Sequence, residues 1–528
     1  MTTAVSHSLW SPLRIRAFRG LWASSGIYFI GNAMQAMAAS WLMVEMTGSS
    51  FLAALVQTAV FLPMFLLSLP SGVLADTTDR RRLILGALAV QAVIVVLLAL
   101  LVLAGWAGPG TLLFFTFAAG CCTALFSPAW NSTVADTVPR EDMPQAITAM
   151  SMAWNTARAI GPALAGVVFA ALGAGWVFAI AVASSLVMMQ AIRRWPPSAH
   201  PDSRLPAERL WGGTLSGLRF ARHSKIVLAQ LLRTMAYSGC GAALWALLPV
   251  IGQRQLGLGA AGFGLLMACL GTGAVAAGLV LGRVRARMGR EALVSAGCIV
   301  FAVVMAITAL VRIPLVVYGA LVLGGAAWMA VMSTFNTATQ TSAPPWVRSR
   351  AAALHTLSAL GSFAIGSAFW GAVSGFAGLP VALCAAAVAM VAGLLLARPF
   401  PLRMGEHQEV TPGTPWEELF IVAEPNPDDG PVAVEIGYRI RAPESHQFLE
   451  AVTQLRSPRR RDGATFWRIY RDLADPSRYV ERFIVTSWAD YLHQRARATL
   501  ADQELELRVR EFLAPGESVT MQHYIAER

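Results

Sequence analysis

From about residue 20 to 397, apolar runs of membrane-spanning length follow one another with only short polar breaks. A hydrocarbon layer ~30 Å thick is crossed by about 20 apolar residues in a helix. A water-soluble core has no use for so many such segments. The pattern predicts twelve spans, at roughly 20–45, 51–75, 83–105, 111–133, 145–171, 173–193, 227–250, 260–282, 291–311, 314–338, 350–373 and 378–397. The longest break among them, Trp195 to Ser224, carries four prolines and divides the spans six and six. The expected architecture is an all-α polytopic membrane protein: a six-helix transmembrane bundle at 1–195, a cytoplasmic linker at 196–224 and a second six-helix bundle at 225–404.

After Arg403 the pattern turns soluble. In VAVEIGYRI, Val432, Val434, Ile436, Tyr438 and Ile440 alternate with Glu435, Arg439 and Arg441, which predicts a half-buried strand. A helix (443–455), two strands (464–472, 478–487), a helix (488–513) and a strand (518–525) are expected to follow. This βαββαβ order predicts a ferredoxin-like α+β domain over 405–528.

Charge orients the spans. The chain is 56% hydrophobic, 13% charged and carries a net charge of +11, +17 from residues 1–403 and −6 from the remainder. One set of inter-span segments holds 22 basic residues, among them Arg14, Arg16, Arg19, Arg80–Arg82, Arg140, Arg204, Arg209 and Arg283–Arg290; the other set holds only Arg254 and Arg312. Positively charged short loops stay inside, so both termini are expected in the cytoplasm, and this segregation itself requires an even number of spans. The excess of arginine follows from topology, and no basic patch with interleaved aromatics points to nucleic acid. The first 19 residues lack a signal-peptide pattern, so the first span is expected to remain. All six cysteines lie in apolar runs without a CxxC pair and read as small buried side chains.

One short stretch, PSGVLADTTDRRRLILG (70–86), places two aspartates and three arginines between greasy blocks. Gly72, Asp76, Arg80 and Arg81 fall at the arginine-rich end of the second span. In the second half, Gly278, Gly282, Gly289 and Arg290 fall at the end of the eighth span, the second of its own six. Transporters built from duplicated bundles show such weak repeats. Glycine permits close helix approach, the aspartate can meet a helix N-terminus or an arginine, and the cluster can latch two halves together. The arginines alone are equally read as positive-inside anchors.

This G-x-x-x-D-x-x-x-R-R pattern resembles the cytoplasmic loop motif of the major facilitator superfamily, with departures: Thr77 stands where a basic residue is usual, Asp79 where glycine is usual, and Gly282 where the second copy would have aspartate. The stretch Phe126–Gly166 is similar to the enterobactin-exporter-like branch, also called transmembrane secretion effectors. Its end, Gly161–Pro162-x-x-x-Gly166, resembles that superfamily's antiporter motif, which goes with export. Read from chemistry alone, Pro162 removes a backbone hydrogen bond and bends the helix, while Ala157, Gly161 and Ala165 form a close-packing ridge; an ordinary kinked packing helix remains the alternative.

Few ionisable residues fall within spans. Arg158 lies mid-way along the fifth and Arg233 about two turns into the seventh. A mid-membrane arginine costs about 2.5–3.5 kcal/mol on insertion scales and should face a cavity or a partner. Arg158 is expected to line a central cavity, contacting an anionic substrate group or pairing internally. Arg233 either joins it or snorkels to the surface. Asn32 and Gln35 on the first span are candidate lining residues or interhelical hydrogen bonds. Glu45 is a candidate proton site, with a solvated cap as the other reading. Asp136 reads as structural, and His355 begins the eleventh span. The superfamily's frequent arginine on the fourth helix is replaced by Thr116. GxxxxGK[ST] is absent and Lys225 is the only lysine, so no phosphate-binding loop can form.

The tail stretch ERFIVTSWADYLHQRARATLAD resembles dimeric α+β barrel domains related to antibiotic-biosynthesis monooxygenases; the resemblance implies a regulatory module or homodimerisation through this domain, and makes Trp467 and His493 candidate cleft residues. The sequence as a whole reads as a secondary exporter of a small amphipathic molecule (a siderophore, antibiotic or other secondary metabolite), working by alternating access in the bacterial inner membrane, with the proton as the candidate coupling ion and with no cofactor or metal. The second reading is a membrane-anchored enzyme whose active part is the tail.

Overall fold

The computed structural model describes residues 11–139, 142–195, 210–403, 405–413 and 425–527. Arg140, Arg204 and Arg209 and the side chains of Asp76 and Asp136 lie outside the described residues. Each of the twelve apolar stretches is a helix long and apolar enough to cross a membrane. The first six are α1 (Arg16–Thr47), α2 (Ser50–Thr77), α3 (Arg80–Leu103), α4 (Pro109–Thr137), α5 (Met143–Leu172) and α6 (Ala174–Arg194). A shorter helix, α7 (Leu210–His223), occupies the second part of the expected linker. Its polar, glycine-containing sequence hid it from a search for long apolar runs. The remaining spans are α8 (Lys225–Val250), α9 (Ala260–Arg287), α10 (Arg290–Leu310), α11 (Pro314–Thr341), α12 (Arg348–Ala377) and α13 (Leu379–Leu396).

Local chemistry sets the helix ends. Gly48 closes α1 in the left-handed conformation (φ 59°), donating its N–H to Val44 O. Ser49 then caps α2 by accepting from Leu52 N. Asp79, which stands where the loop motif usually has glycine, caps α3 by accepting from Arg82 N at 3.0 Å. The helices turn large apolar side chains outward: Val90, Val93, Leu97 and Leu100 on α3 are exposed. Such a surface is stable against lipid, where every backbone polar group is already bonded within its helix.

Contacts divide the chain into two compact units. The first contains residues 1–205, 233–334 and 356–399, and so most of both six-helix bundles. Within it, α5 packs along α9: a Cβ on Gly264 would stand 2.5 Å from Pro162 O, and one on Gly166 would stand 2.7 Å from Ala260 O. α2 meets α12 in the same way, with Thr58 Oγ1 donating to Ala364 O at 2.9 Å and the Phe61 and Phe363 rings 4.8 Å apart. These between-bundle contacts lie at mid-height or toward the arginine-poor ends. At the arginine-rich ends, Gly72, Gly278, Gly282 and Gly289 have no atom within 4 Å of where a Cβ would stand. The close approach expected at these glycines is therefore not made. Glycine here leaves open space, while glycines such as Gly161, Gly166, Gly264 and Gly271 are closely packed.

The second unit contains residues 206–232, 335–355 and 400–528. Its sheet is formed by β1 (Val432–Arg439), β2 (Phe466–Arg471), β3 (Arg478–Val485) and β4 (Thr520–Ile525), all antiparallel in the order β2-β3-β1-β4. This is the ferredoxin-like order that the βαββαβ chain predicts. Val432, Val434, Ile436 and Tyr438 form the buried face of β1 as their alternation requires. The expected helix at 443–455 is α15 (Ser445–Gln454), and a further helix not expected, α16 (Arg456–Asp462), follows it; the expected helix at 488–513 is two, α17 (Trp488–Arg497) and α18 (Leu500–Arg510). That break falls at Ala498–Thr499, where Thr499 and Asp502 form a capping box for α18. A short α14 (His407–Val410) precedes a strap in which Gly413 N donates to Ala498 O and Leu500 N to Thr411 O. The domain is seated on its own unit's helix ends. Arg219 of α7 donates to Gly463 O at 3.0 Å, and the Arg497 guanidinium lies 4.5 Å over the Trp346 ring.

Beneath the sheet, Glu481 is fully buried and accepts from Tyr438 Oη (2.9 Å), Trp467 Nε1 (2.8 Å) and Arg459 Nε (3.1 Å). Arg459 Nη1 also donates to Glu506 at 2.9 Å. One guanidinium thus serves two buried carboxylates, and burial together with the charge of Glu481 pushes Glu506 up to about 8, despite Arg459. A carboxyl whose folded value lies above its ordinary one stabilises the fold through its bound proton, fully below about 4.5, and that contribution is lost as pH rises through 8. The expected result is that hydrogen exchange of residues 478–510 in the intact protein accelerates between pH 6 and pH 9 beyond the intrinsic rate change. Glu506→Gln should remove this excess, on the order of a few kcal/mol of opening free energy.

Candidate functional site

Between the two bundles lies a cavity of about 390 Å³. Its walls come from α1, α2, α4 and α5 of the first bundle and from α8, α9, α11 and α12 of the second, four helices from each half. Aromatic side chains dominate. Phe29 and Trp154 meet edge to face at 4.8 Å, and Trp245, Trp328 and Phe363 form a facing row with successive rings 6.1 Å apart. Met37, Met64, Met267 and Met332 add flexible apolar surface. Polar groups are few: Asn32, Gln35, Ser40, Gln57, Thr116, Thr123, Ser238 and Arg158.

Arg158 is the cavity's one charged residue among the described lining. It keeps accessible surface toward the cavity, and its guanidinium lies 5.1 Å over the face of Trp245. It forms no ion pair or hydrogen bond among the described residues. Two further groups on the wall lack a hydrogen-bond partner among the described residues: the Trp245 indole N–H and the buried Thr116 hydroxyl. A buried polar group without a partner is costly, and a bound acceptor-rich molecule would satisfy both. Asn32 and Gln35 line the same space, Gln35 nearly buried.

Arg233 does not line the cavity. Its guanidinium grips Glu291 in a two-pronged pair, Nη1 to Oε2 at 2.8 Å and Nη2 to Oε1 at 2.6 Å. Sequence reasoning missed Glu291 because it opens α10 beside Arg290 and reads as part of a charged loop. The signal was present: a basic side chain two turns inside α8 with an acidic one at the matching depth of a neighbour. The arginine side chain is 6% exposed and the glutamate 46%, so Glu291→Ala strands a buried charge. It is expected to lower the unfolding free energy by about 3 kcal/mol, read as a drop in thermal midpoint, whereas the double change Arg233→Met/Glu291→Ala recovers most of it.

Glu45 is exposed at the end of α1 and accepts from Trp41 Nε1 at 2.6 Å. On α5, a Cβ on Gly161 would stand 2.8 Å from Ala33 Cβ of α1, and Gly166 and Pro162 face α9. In the first arginine-rich loop, Arg81 donates to Arg193 O at the end of α6. In the second, Arg285 donates to Ser333 and Thr334 of α11, each at 3.1 Å, while Gly289 and Arg290 open α10. The loop arginines Arg81 and Arg285 therefore tie helix ends within their own bundles. In the tail, Trp467 is committed to Glu481 inside the core while His493 is exposed on α17, so the two do not share a cleft. His355 is buried near the start of α12. No group of three or more His, Cys, Asp or Glu that could hold a metal occurs among the described residues.

The family of transmembrane secretion effectors matches residues 7–528. Among individual relatives, the multidrug efflux pump Tap of Mycolicibacterium fortuitum is 28% identical over 246 residues, 43% of this chain and 54% of that protein. The match thus spans about half the length of that pump. Tap of Mycobacterium tuberculosis H37Rv is 26% identical over 387 residues, covering 70% of this chain and 90% of its own. The staphyloferrin A transporter of Staphylococcus aureus is 23% identical over 272 residues, 51% of this chain and 67% of that protein. Among solved structures, a bacterial homologue of the lysosomal transporter Spinster superposes with a TM-score of 0.59 at 16% identity, covering 74% of this chain and 98% of the other. The nucleoside transporter NupG gives 0.59 at 12%, covering 73% and 98%. At such identities the likeness shows the fold.

Proposed function

This chain belongs to the transmembrane secretion effector family of major facilitator transporters, and from that premise we propose that it is a secondary active exporter moving a small, amphipathic, anionic molecule by alternating access. The observation that carries this reading is the cavity itself, enclosed by four helices from each half, walled by aromatics and holding one unpaired arginine. Aromatic and methionine walls accept varied apolar bodies. A guanidinium over an indole face, with free N–H and O–H donors nearby, selects for negative charge and acceptors. The relatives named for multidrug efflux and for staphyloferrin A transport support a small-molecule cargo.

On this reading the arginine-rich loops lie inside the cell and the contacts along α5–α9 and α2–α12 close the outer side, as an inward-facing state requires. Export then requires these contacts to part while the arginine-rich ends converge. Gly72, Asp76, Arg80 and Arg81, with Gly278, Gly289 and Arg290 opposite, form the latch of that second state. Gly161, Pro162 and Gly166 supply the α5 surface on which the outer gate closes, and a proton taken up at Glu45 drives the exchange. The tail is a cytoplasmic module that joins two copies of the chain. The membrane is the bacterial inner membrane.

The reading is tested by comparing metabolites outside and inside cells with and without the protein, and with Asp76→Asn. Export is expected to deplete one or a few anionic compounds from the cytoplasm, and Asp76→Asn to abolish this without loss of protein from the membrane. Equal metabolite distributions in all three strains would overturn it.

A further inference from the structure

The arginine-poor face carries only Arg254 and Arg312, 58 positions apart in the chain, yet both line one pocket of about 450 Å³ distinct from the central cavity. Positive charge on this side runs against the rule that orients the spans, so its gathering at a single place calls for a physical reason. Neither arginine forms an ion pair or hydrogen bond among the described residues, and both are exposed.

The pocket is pre-organised. α8 runs on past Pro249 and Val250 into a wide π-turn, Ile251–Gln255, a feature common at functional sites. This turn carries Arg254 and Gln255. The Gln255 amide donates to the carbonyls of Thr308 (2.9 Å), Ala309 (3.2 Å) and Val311 (3.1 Å) at the end of α10. It thereby fixes the α10–α11 turn that bears Arg312, and it neutralises carbonyls that would otherwise repel an anion. Two long helices open here: Ser50 begins α2, and Gly378, Leu379 and Pro380 lead into α13. Their first-turn N–H groups and positive dipole ends favour negative charge. Ser374, 6% exposed, also lines the pocket, and its hydroxyl has no hydrogen-bond partner among the described residues. Leu310 of the lining is 67% exposed, and the residues that follow the lining in sequence, Ile313 (59%) and Val381 (52%), are apolar and exposed as well.

We propose that this pocket is a second binding site, specific for a phosphate-bearing anion on the arginine-poor face, with Arg254 and Arg312 as its cationic ligands and Ser374 as hydroxyl donor. Because Ser50 belongs to the first bundle and Arg254 and Arg312 to the second, and because Arg254 lies against Gly48, an occupant bridges the bundles and holds this face closed. The phosphate comes either from a phospholipid headgroup, whose chains these exposed apolar residues accommodate, or from a free anion.

The test uses the full-length protein. Thermal midpoints are measured in detergent across a titration of inorganic phosphate, and in nanodiscs of phosphatidylcholine with and without phosphatidylglycerol. Wild type is compared with Arg254→Gln/Arg312→Gln and with Arg283→Gln/Arg287→Gln, which makes the same charge change on the other face. A stabilising shift in wild type and in the control pair, lost in the first variant with an affinity decrease of about tenfold or more, supports the site. The arm in which the shift occurs identifies lipid headgroup or free anion as its source. Arg254→Lys/Arg312→Lys should keep part of it. Identical responses of wild type and Arg254→Gln/Arg312→Gln in both arms would overturn the proposal.

Discussion

Replacing Arg158 with alanine lowers the export rate of an anionic cargo by roughly tenfold to a hundredfold, while the protein still reaches the membrane in at least its normal amount. The magnitude follows from hydrogen bonds to a charged partner, worth about 1.5–3 kcal/mol, at 1.4 kcal/mol per factor of ten. The preserved amount follows from the same geometry. Among the described residues Arg158 has no ion pair to lose, only its stacking on Trp245 at 5.1 Å, worth about 0.5–2 kcal/mol. Against that loss stands the gain from removing a charge whose insertion costs about 2.5–3.5 kcal/mol. Arg158→Lys should retain part of the transport, because the charge remains while the planar fork and its stacking are lost. The check is efflux of an anionic dye from preloaded cells, normalised to the protein in isolated membranes, beside a neutral dye of similar size. An unchanged rate for the anionic dye, or an equal fall for both dyes, would remove the guanidinium from cargo recognition.

The bundle architecture was legible in the sequence because lipid imposes a one-dimensional rule: a span must be apolar for about 20 residues, and arginine marks the inner ends. The β-strand alternation at 432–440 was equally plain, since its period is fixed by the pleat. The features that escaped are those set by partners distant in the chain. Arg233 and Glu291 are 58 positions apart, and only the packing of α8 on α10 reveals that one answers the other. The break after Arg497 follows from a capping box and from strap contacts with residues 411–413, which a continuous apolar periodicity conceals. Helix α7 was missed because a polar helix stabilised by its own unit, through Arg219 and Phe220, has no strong local signature. In the cavity, Asn32, Gln35 and Arg158 were chosen because polar residues inside spans are costly. The aromatic row of Trp245, Trp328 and Phe363 was not, because such residues are equally at home against lipid.

Two glycine substitutions one helix apart should have opposite fates, and this separates packing that holds a bundle together from packing that must open. Gly325 of α11 lies against Leu270 O of α9 within the second bundle, where an added Cβ overlaps the carbonyl oxygen, and Gly273 meets Val322 O reciprocally. Both faces are backbone, so no side chain can yield, and Gly325→Leu is expected to prevent the bundle from forming, with loss of the protein from the membrane. Gly264 of α9 is also tightly packed, 2.5 Å from Pro162 O and 3.0 Å from Gly166 Cα for an added Cβ, but its neighbours belong to the other bundle. Overpacking there costs about 1–3 kcal/mol, and the two bundles can escape it by moving apart. Gly264→Leu should therefore leave a folded, membrane-embedded protein whose equilibrium is displaced by roughly tenfold to a hundredfold toward the state open on the arginine-poor side. In a background lacking the six native cysteines, a cysteine placed at Gln57 on the cavity wall should react with an impermeant thiol reagent added from that side at least tenfold faster in Gly264→Leu than in its parent, with export arrested. Export at the parental rate, or labelling no faster than the parent's, would mean that α5 and α9 do not part during the cycle, and the alternation inferred from the cavity would fail with it.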